Sequence, residues 1–184
     1  MSAFLLSRAT GRAVLIALAA MAASGASFSV LIPPYQEAAG FTPFDMQFPL
    51  TRDMVIIQLG AFNDGVLAAY LPFAAVDMFF PAVGAAFTVL LWGWLARAAG
   101  APWLTGAFRR GWWIWAIFPA LCDLSENVLF LRLLAAEPRP TLDLIDTAVA
   151  VHRAKLVFLS IAQGISVALI LVTMMLVWRQ RGKS

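Results

Sequence analysis

Asp77, Asp123, Glu126 and Lys155 stand inside stretches of sequence that are otherwise apolar. An ionisable side chain in hydrocarbon costs about 2.5–3.5 kcal/mol on insertion scales, and ~10 kcal/mol or more in some calculations. A chain keeps such groups when they pair, line a cavity or do chemistry. Asp123, Glu126, Asn127 and Phe130 follow the i, i+3, i+4, i+7 spacing, which puts the polar groups on one face of a helix. Further on, His152, Lys155, Leu159 and Gln163 share a face approximately. Three acids against one lysine leave an excess of acid, so at least one carboxyl is expected to hold its proton. A neutral carboxylic acid beside a carboxylate suits proton transfer, and it equally suits holding a cationic amine. Asp77, Asp123, Glu126 and Lys155 are therefore the candidate catalytic residues. Tyr70, Phe73 and Phe130 are expected as apolar walls of a ligand site, with Asn127 and His152 as further ligand-binding residues.

Each of these residues also has a purely structural reading. Buried polar side chains tie helices together through interhelical hydrogen bonds, and Asn127 fits that role well. A lone histidine is more often an interfacial polar residue than a metal ligand. Cys122, the only cysteine, reads most simply as a small buried residue, and Arg132 as a snorkelling one. Arg153 either reaches an acid or points to headgroups. There is no phosphate-cradling glycine loop, no His-Glu-x-x-His zinc motif and no Gly-x-Ser-x-Gly nucleophile elbow. The sequence calls for no metal and no cofactor.

The elements that must carry these residues follow from composition. The chain has 184 residues, 62% hydrophobic and 12% charged, with a mean hydropathy of +0.84. Soluble domains carry about 25% charged residues, so half that share points to a multi-pass membrane protein. The expected fold is all-α: an integral-membrane four-helix bundle forming a single transmembrane domain over residues 1–184. A crossing needs about 20 apolar residues, and four stretches supply them, at about residues 13–32, 66–96, 112–136 and 149–178. The first ends at Pro33-Pro34. The second begins after the turn signal Asn63-Asp64-Gly65, and its length requires it to tilt, protrude or bend at Pro72 and Pro81. The third stops at Glu137-Pro138-Arg139-Pro140. The outer loop, residues 33–65, holds a short helix from about Thr51 to Phe62, with Val55, Leu59 and Phe62 at helical spacing and Arg52, Asp53, Gln58 and Asn63 polar. That segment reads as lying on the outer leaflet, as a lid over the bundle, or as a surface-packed connector.

Charge sets the orientation. With both termini cytoplasmic, the inner side receives Arg8, Arg12, Arg97, Arg109, Arg110, Arg179, Arg181 and Lys183, and no acid. Glu37, Asp45, Asp53, Asp64, Glu137, Asp143 and Asp146 fall outside or at the outer ends of spans. All seven tryptophans fall near the inner interface, where indole rings anchor. This orientation brings the acids and Lys155 to similar depth, from mid-bilayer into the outer half of the bundle. Arg8, Arg12 and Ala23-Ser24-Gly25-Ala26 also fit a cleaved signal peptide, but the apolar run continues through Val30-Leu31-Ile32, which is long for one. The net charge of +3 and pI near 9.6 arise from basic residues at span ends, so no nucleic-acid partner is expected.

Phe44-Asp45, Leu59-Gly60, Tyr70…Asp77…Phe80-Pro81, Asp123-Leu124-Ser125-Glu126-Asn127 and Lys155 together resemble an uncharacterised family of small bacterial four-span membrane proteins. That family often places Tyr-Gly shortly after its Phe-Pro, where this chain has Val83-Gly84 and so lacks a hydroxyl. The resemblance implies a bacterial inner-membrane location and one buried polar cluster, and it brings no known activity. A weaker architectural likeness is to sterol-isomerase and sigma-2-receptor-like proteins, which bind amphiphilic amines or sterols near intramembrane acids. The leading expectation is a site that binds a membrane lipid or amphiphilic small molecule, with proton transfer as its chemistry if it has one. A small proton- or cation-coupled transporter acting as a homo-oligomer, and a non-catalytic assembly subunit, are the alternatives.

Overall fold

The computed structural model describes residues 1–136 and 141–182, and every regular element among them is helical. Helix α1 (Ser2–Arg8) leads into α2 (Gly11–Ala39), a 3₁₀ turn (Phe44–Met46), α3 (Arg52–Ala61) and α4 (Asp64–Ala98). Then come α5 (Pro102–Arg109), a second 3₁₀ turn (Trp112–Ala116), α6 (Phe118–Ala135) and α7 (Leu142–Arg181). Among the described residues four segments are long and apolar enough to cross a membrane: Gly11–Ala39, Asp64–Ala98, Trp112–Ala135 and Leu142–Arg181. The expected stop at Glu137-Pro138-Arg139-Pro140 and the basic residue Lys183 lie outside the described residues.

Several boundaries differ from the sequence reading for identifiable reasons. Helix α2 runs through Pro33 and Pro34 to Ala39. A proline forfeits one helical hydrogen bond and crowds the preceding turn, yet the extra turn packs Tyr35 at 0% exposure. The helix stops instead at Gly40, whose φ of 78° only glycine adopts readily. Pro72 and Pro81 likewise lie within an unbroken α4. The third span opens as a 3₁₀ turn, and its α-helix begins only at Phe118. Pro119 stands in the first turn of this helix, where its missing N–H would have no helical partner in any case. Helix α7 begins at Leu142, ahead of the expected position near Val149. The short helix in the loop is present, capped by Thr51, whose Oγ1 accepts from Met54 N–H at 3.3 Å. Asn63 turns the Asn-Asp-Gly signal into a helix cap, its Oδ1 accepting from Gly65 N–H at 3.0 Å and Val66 N–H at 3.1 Å.

The residues group into two compact units. One comprises residues 1–21, 82–120 and 157–184; the other comprises residues 22–81 and 121–156. The core of the first unit is built on Trp92, Leu95, Leu104, Phe108 and Leu169. Its polar stitches are Trp92 Nε1–H to Ser166 Oγ at 2.8 Å and Trp113 Nε1–H to Ser2 Oγ at 3.0 Å. The second unit holds two apolar clusters. One gathers Phe44, Leu50, Val55, Phe130 and Ile145; the other gathers Phe28, Tyr35, Val66, Tyr70 and Phe73. In the most apolar window of α2 only 6% of residues are buried within the protein. Its apolar surface therefore faces outward, as hydrocarbon rather than water would favour.

Candidate functional site

The second unit contains the whole polar cluster, and α6 supplies its centre. Glu126, at 0% exposure, and Asn127, at 4%, stand one position apart on the face that also buries Phe130. Glu126 Oε1 lies 2.7 Å from His152 Nδ1, and Glu126 Oε2 lies 2.5 Å from Lys155 Nζ. This second contact is an ion pair without hydrogen-bond alignment. Lys155 also donates to Asp123 Oδ1 at 3.1 Å and to the Asp45 main-chain carbonyl at 3.4 Å. His152 and Lys155 are one turn apart on α7, so both reach α6 from the same face. Leu159 and Gln163, expected on that face, are exposed instead. From α4, Asp77 is buried at 5% exposure, and its main-chain carbonyl accepts from Asn127 Nδ2 at 3.1 Å. Asn127 thus ties α6 to α4, as its structural reading anticipated.

The Nδ1–H tautomer of His152 is assigned from its neighbours: with Nδ1–H donating to Glu126, whose other oxygen meets the Lys155 ammonium, the Nε2 lone pair is free. That Nε2 is buried with no hydrogen-bond partner among the described residues. Buried polar atoms are seldom left unmatched, and an unmatched one calls for an unseen water, a ligand or a chemical role. An imidazole oriented by a carboxylate at Nδ1 and open at Nε2 is a proton acceptor.

The aromatic residues form the surroundings of this cluster. Phe130 stacks on Phe44 with ring centroids 4.9 Å apart, and Phe44 stacks on Phe62 at 5.8 Å. Tyr70 packs on Phe73 at 5.9 Å and on Tyr35 at 5.6 Å. Tyr70, Phe73 and Phe130, expected as apolar walls of a ligand site, are all buried and packed against other rings. No protein-family model, curated protein or solved structure matches this chain. Any chemistry must therefore be argued from this geometry.

Two members of the cluster escaped the sequence reading. Asp45 was assigned to the outer loop, away from the buried acids. Instead the loop folds inward around Phe44, at 0% exposure, and carries Asp45 with it. Asp45 is half-buried overall, but its Oδ1 is sealed from solvent with no hydrogen-bond partner among the described residues. Burial pushes the Asp45 carboxyl well above the usual carboxylate range; Asp77 and Glu126 add to that rise and the Lys155 ammonium opposes it. The second is Tyr35, whose buried hydroxyl has no hydrogen-bond partner among the described residues and lies within electrostatic reach of Asp45. The one available signal was the Phe44-Asp45 pair itself, an acid in a segment rich in aromatic and proline residues. Nothing in the sequence singled out Tyr35, which lies beyond the proline pair where the first span was expected to end.

Proposed function

We propose that this chain is a multi-pass membrane protein whose buried cluster binds an amphiphilic small molecule or lipid and accepts a proton from it. In this reading both termini are cytoplasmic, the protein resides in a bacterial inner membrane, and the cluster lies in the outer half of the bundle. The single observation that carries the reading is His152: Nδ1 held by Glu126, Nε2 bare and buried. In the proposed step, Nε2 takes a proton from a hydroxyl or ammonium of the ligand. The resulting imidazolium is stabilised by the Glu126 carboxylate, and Lys155 and Asp123 hold that carboxylate in place. Asp77 and Asp45 add negative potential that favours a cationic or proton-donating headgroup. The amphiphile's chain would lie among Tyr70, Phe73 and Phe130.

The test compares membranes containing wild type, His152→Gln, Glu126→Gln and Asp77→Asn at matched abundance. Lipid composition and binding of a lipid and amphiphilic-amine panel are the readouts. The reading predicts that His152→Gln keeps abundance and thermal stability near wild type while it changes composition or binding. If every variant leaves both unchanged, the site is not a ligand site. If abundance and stability fall together with no separate functional loss, the cluster serves only to assemble helices.

A further inference from the structure

The first unit is free of acid. Residues 1–21, 82–120 and 157–184 contain no Asp or Glu, yet they hold Arg8, Arg12, Arg97, Arg109, Arg110, Arg179, Arg181 and Lys183. Every acid among the described residues belongs to the other unit. Within the acid-free unit, Ala9, Thr10, Gly11, Trp94, Arg97 and Ala98 line an open groove of about 340 Å³. That volume is within the range of small-molecule sites, roughly 300–1,000 Å³.

The walls of the groove are fixed in advance. A Cβ at Gly93 would stand 2.7 Å from Ala9 Cβ and 3.2 Å from the Phe108 ring, so only glycine allows the α1–α2 connection to lie directly on α4. One turn on, Arg97 Nη1 donates to the carbonyls of Leu6 and Ala9, each at 3.3 Å, and pins the same connection. Thr10 Oγ1 is committed to Ala13 N–H at 3.2 Å. What faces the groove is therefore donor-rich. Among the described residues only Nη1 of Arg97 is engaged, which leaves the Nε and Nη2 hydrogens. Trp94 is 38% exposed, and its Nε1, which can only donate, lies 3.5 Å from where a Gly11 Cβ would stand.

A preformed groove with an arginine and an indole N–H, in a unit with no acid, selects an anion. The neighbouring surface is apolar, and tryptophan favours the headgroup level of a bilayer. We infer that this groove holds the phosphate of a phospholipid headgroup, with Arg97 supplying charge and fork geometry and Trp94 a hydrogen bond. Arg–phosphate pairs are strong because several N–H groups meet several phosphate oxygens. Arg8 and Arg12, near the groove in sequence, favour a headgroup with net negative charge over a zwitterionic one. This inference does not depend on the acidic cluster or on its proposed chemistry.

Native mass spectrometry of the full chain, purified with equal phosphatidylglycerol and phosphatidylcholine, tests it. Wild type is expected to retain both lipids, phosphatidylglycerol more than phosphatidylcholine, whose ammonium offsets the phosphate charge seen by the arginines. Arg97→Gln and Trp94→Phe should each lower retention of phosphatidylglycerol by up to about tenfold, the loss of one charge-assisted hydrogen bond to phosphate, while Arg109→Gln, distant in sequence and exposed, keeps it. Trp94→Phe changes a partly exposed ring and keeps the test readable if Arg97→Gln fails to fold. Unchanged retention in Trp94→Phe and folded Arg97→Gln overturns the inference, and so does an equal loss in Arg109→Gln, which would mean diffuse charge attraction. Displacement of the retained lipid by millimolar inorganic phosphate would overturn the lipid assignment in favour of a soluble anion.

Discussion

Glu126→Gln separates charge from shape at the centre of the cluster. Glu126 is fully buried, with Oε1 2.7 Å from His152 Nδ1 and Oε2 2.5 Å from Lys155 Nζ. Glutamine keeps the volume and still offers Oε1 to His152, so only the charge changes. Exchanging a charged acceptor for a neutral one weakens that hydrogen bond by about 1 kcal/mol. Removing one partner of a buried ion pair costs about 3–5 kcal/mol when the other is left alone. Lys155 is not left alone, because Asp123 Oδ1 remains at 3.1 Å and the Asp45 carbonyl at 3.4 Å. The ion-pair loss should therefore be less than half the full figure, for a total of about 2 kcal/mol. At 2–4 °C per kcal/mol for a chain of this size, the melting temperature should fall by about 4–8 °C. Glu126→Leu also strips His152 Nδ1 of its acceptor and should cost about 1–3 kcal/mol more. The assay is thermal unfolding in one detergent at neutral pH and a fixed scan rate, with Lys155→Met completing a double-mutant cycle. Glu126→Gln melting at or above wild type would mean that the buried carboxyl is neutral. A coupling to Lys155 below about 0.5 kcal/mol would remove the ion pair on which the His152 tautomer rests.

Three further outcomes follow from the same geometry. Asp45 faces Asp77, Glu126, Lys155, Tyr35 and Tyr70, and its folded carboxyl titrates above its unfolded value; its stabilising contribution is full below the unfolded pKa and is lost as pH rises through the folded one. The melting temperature of Asp45→Asn relative to wild type should therefore rise with pH, and a pH-independent difference would refute it. Phe44→Ala empties a site at 0% exposure between Phe62 and Phe130; it should cost about 3–5 kcal/mol and raise amide exchange selectively in residues 40–50. Gly93→Ala places a methyl 2.7 Å from Ala9 Cβ; it should cost about 1–3 kcal/mol, measured as a lower melting temperature than for Gly84→Ala, where nothing lies within 4 Å.

The helices were legible because apolar length and periodicity are properties of the chain alone. The shared face of Glu126, Asn127 and Phe130 was legible for the same reason, since i, i+1 and i+4 fix directions on any helix. Helix ends were harder. Pro33 and Pro34 penalise a helix locally, but burial of Tyr35 outweighs them, and that burial depends on α4 residues more than thirty positions away. Gln58 read as polar surface and is buried at 4% exposure, because the partner of α3 was unknown. His152 was a candidate by residue type and spacing, yet its contact with Glu126 depends on how α6 and α7 are rotated about their axes. Asp45 was the deepest omission: an irregular segment has no periodicity, so only the packing of Phe44 determines where the next side chain points.

The distribution of charge then gives the cluster its character. Arginines sufficient to neutralise Asp45, Asp77, Asp123 and Glu126 exist in the chain, but most belong to the unit without acids. The cations that touch the cluster are Lys155 and, when protonated, His152. Two like charges ~6 Å apart interact by about 3 kcal/mol at an effective dielectric of 20, more than two powers of ten in an equilibrium. Four carboxylates held by one lysine would bear that repulsion several times over, so a proton is expected to be a standing constituent of the cluster. A ligand that brings positive charge would displace it, and one that donates a proton to His152 Nε2 would add to it. Binding of a cationic ligand should therefore release a proton to solvent, measured in a weakly buffered titration, whereas a ligand that hands its own proton to His152 exchanges none; proton-neutral binding of a cationic amphiphile at every pH would contradict this reasoning.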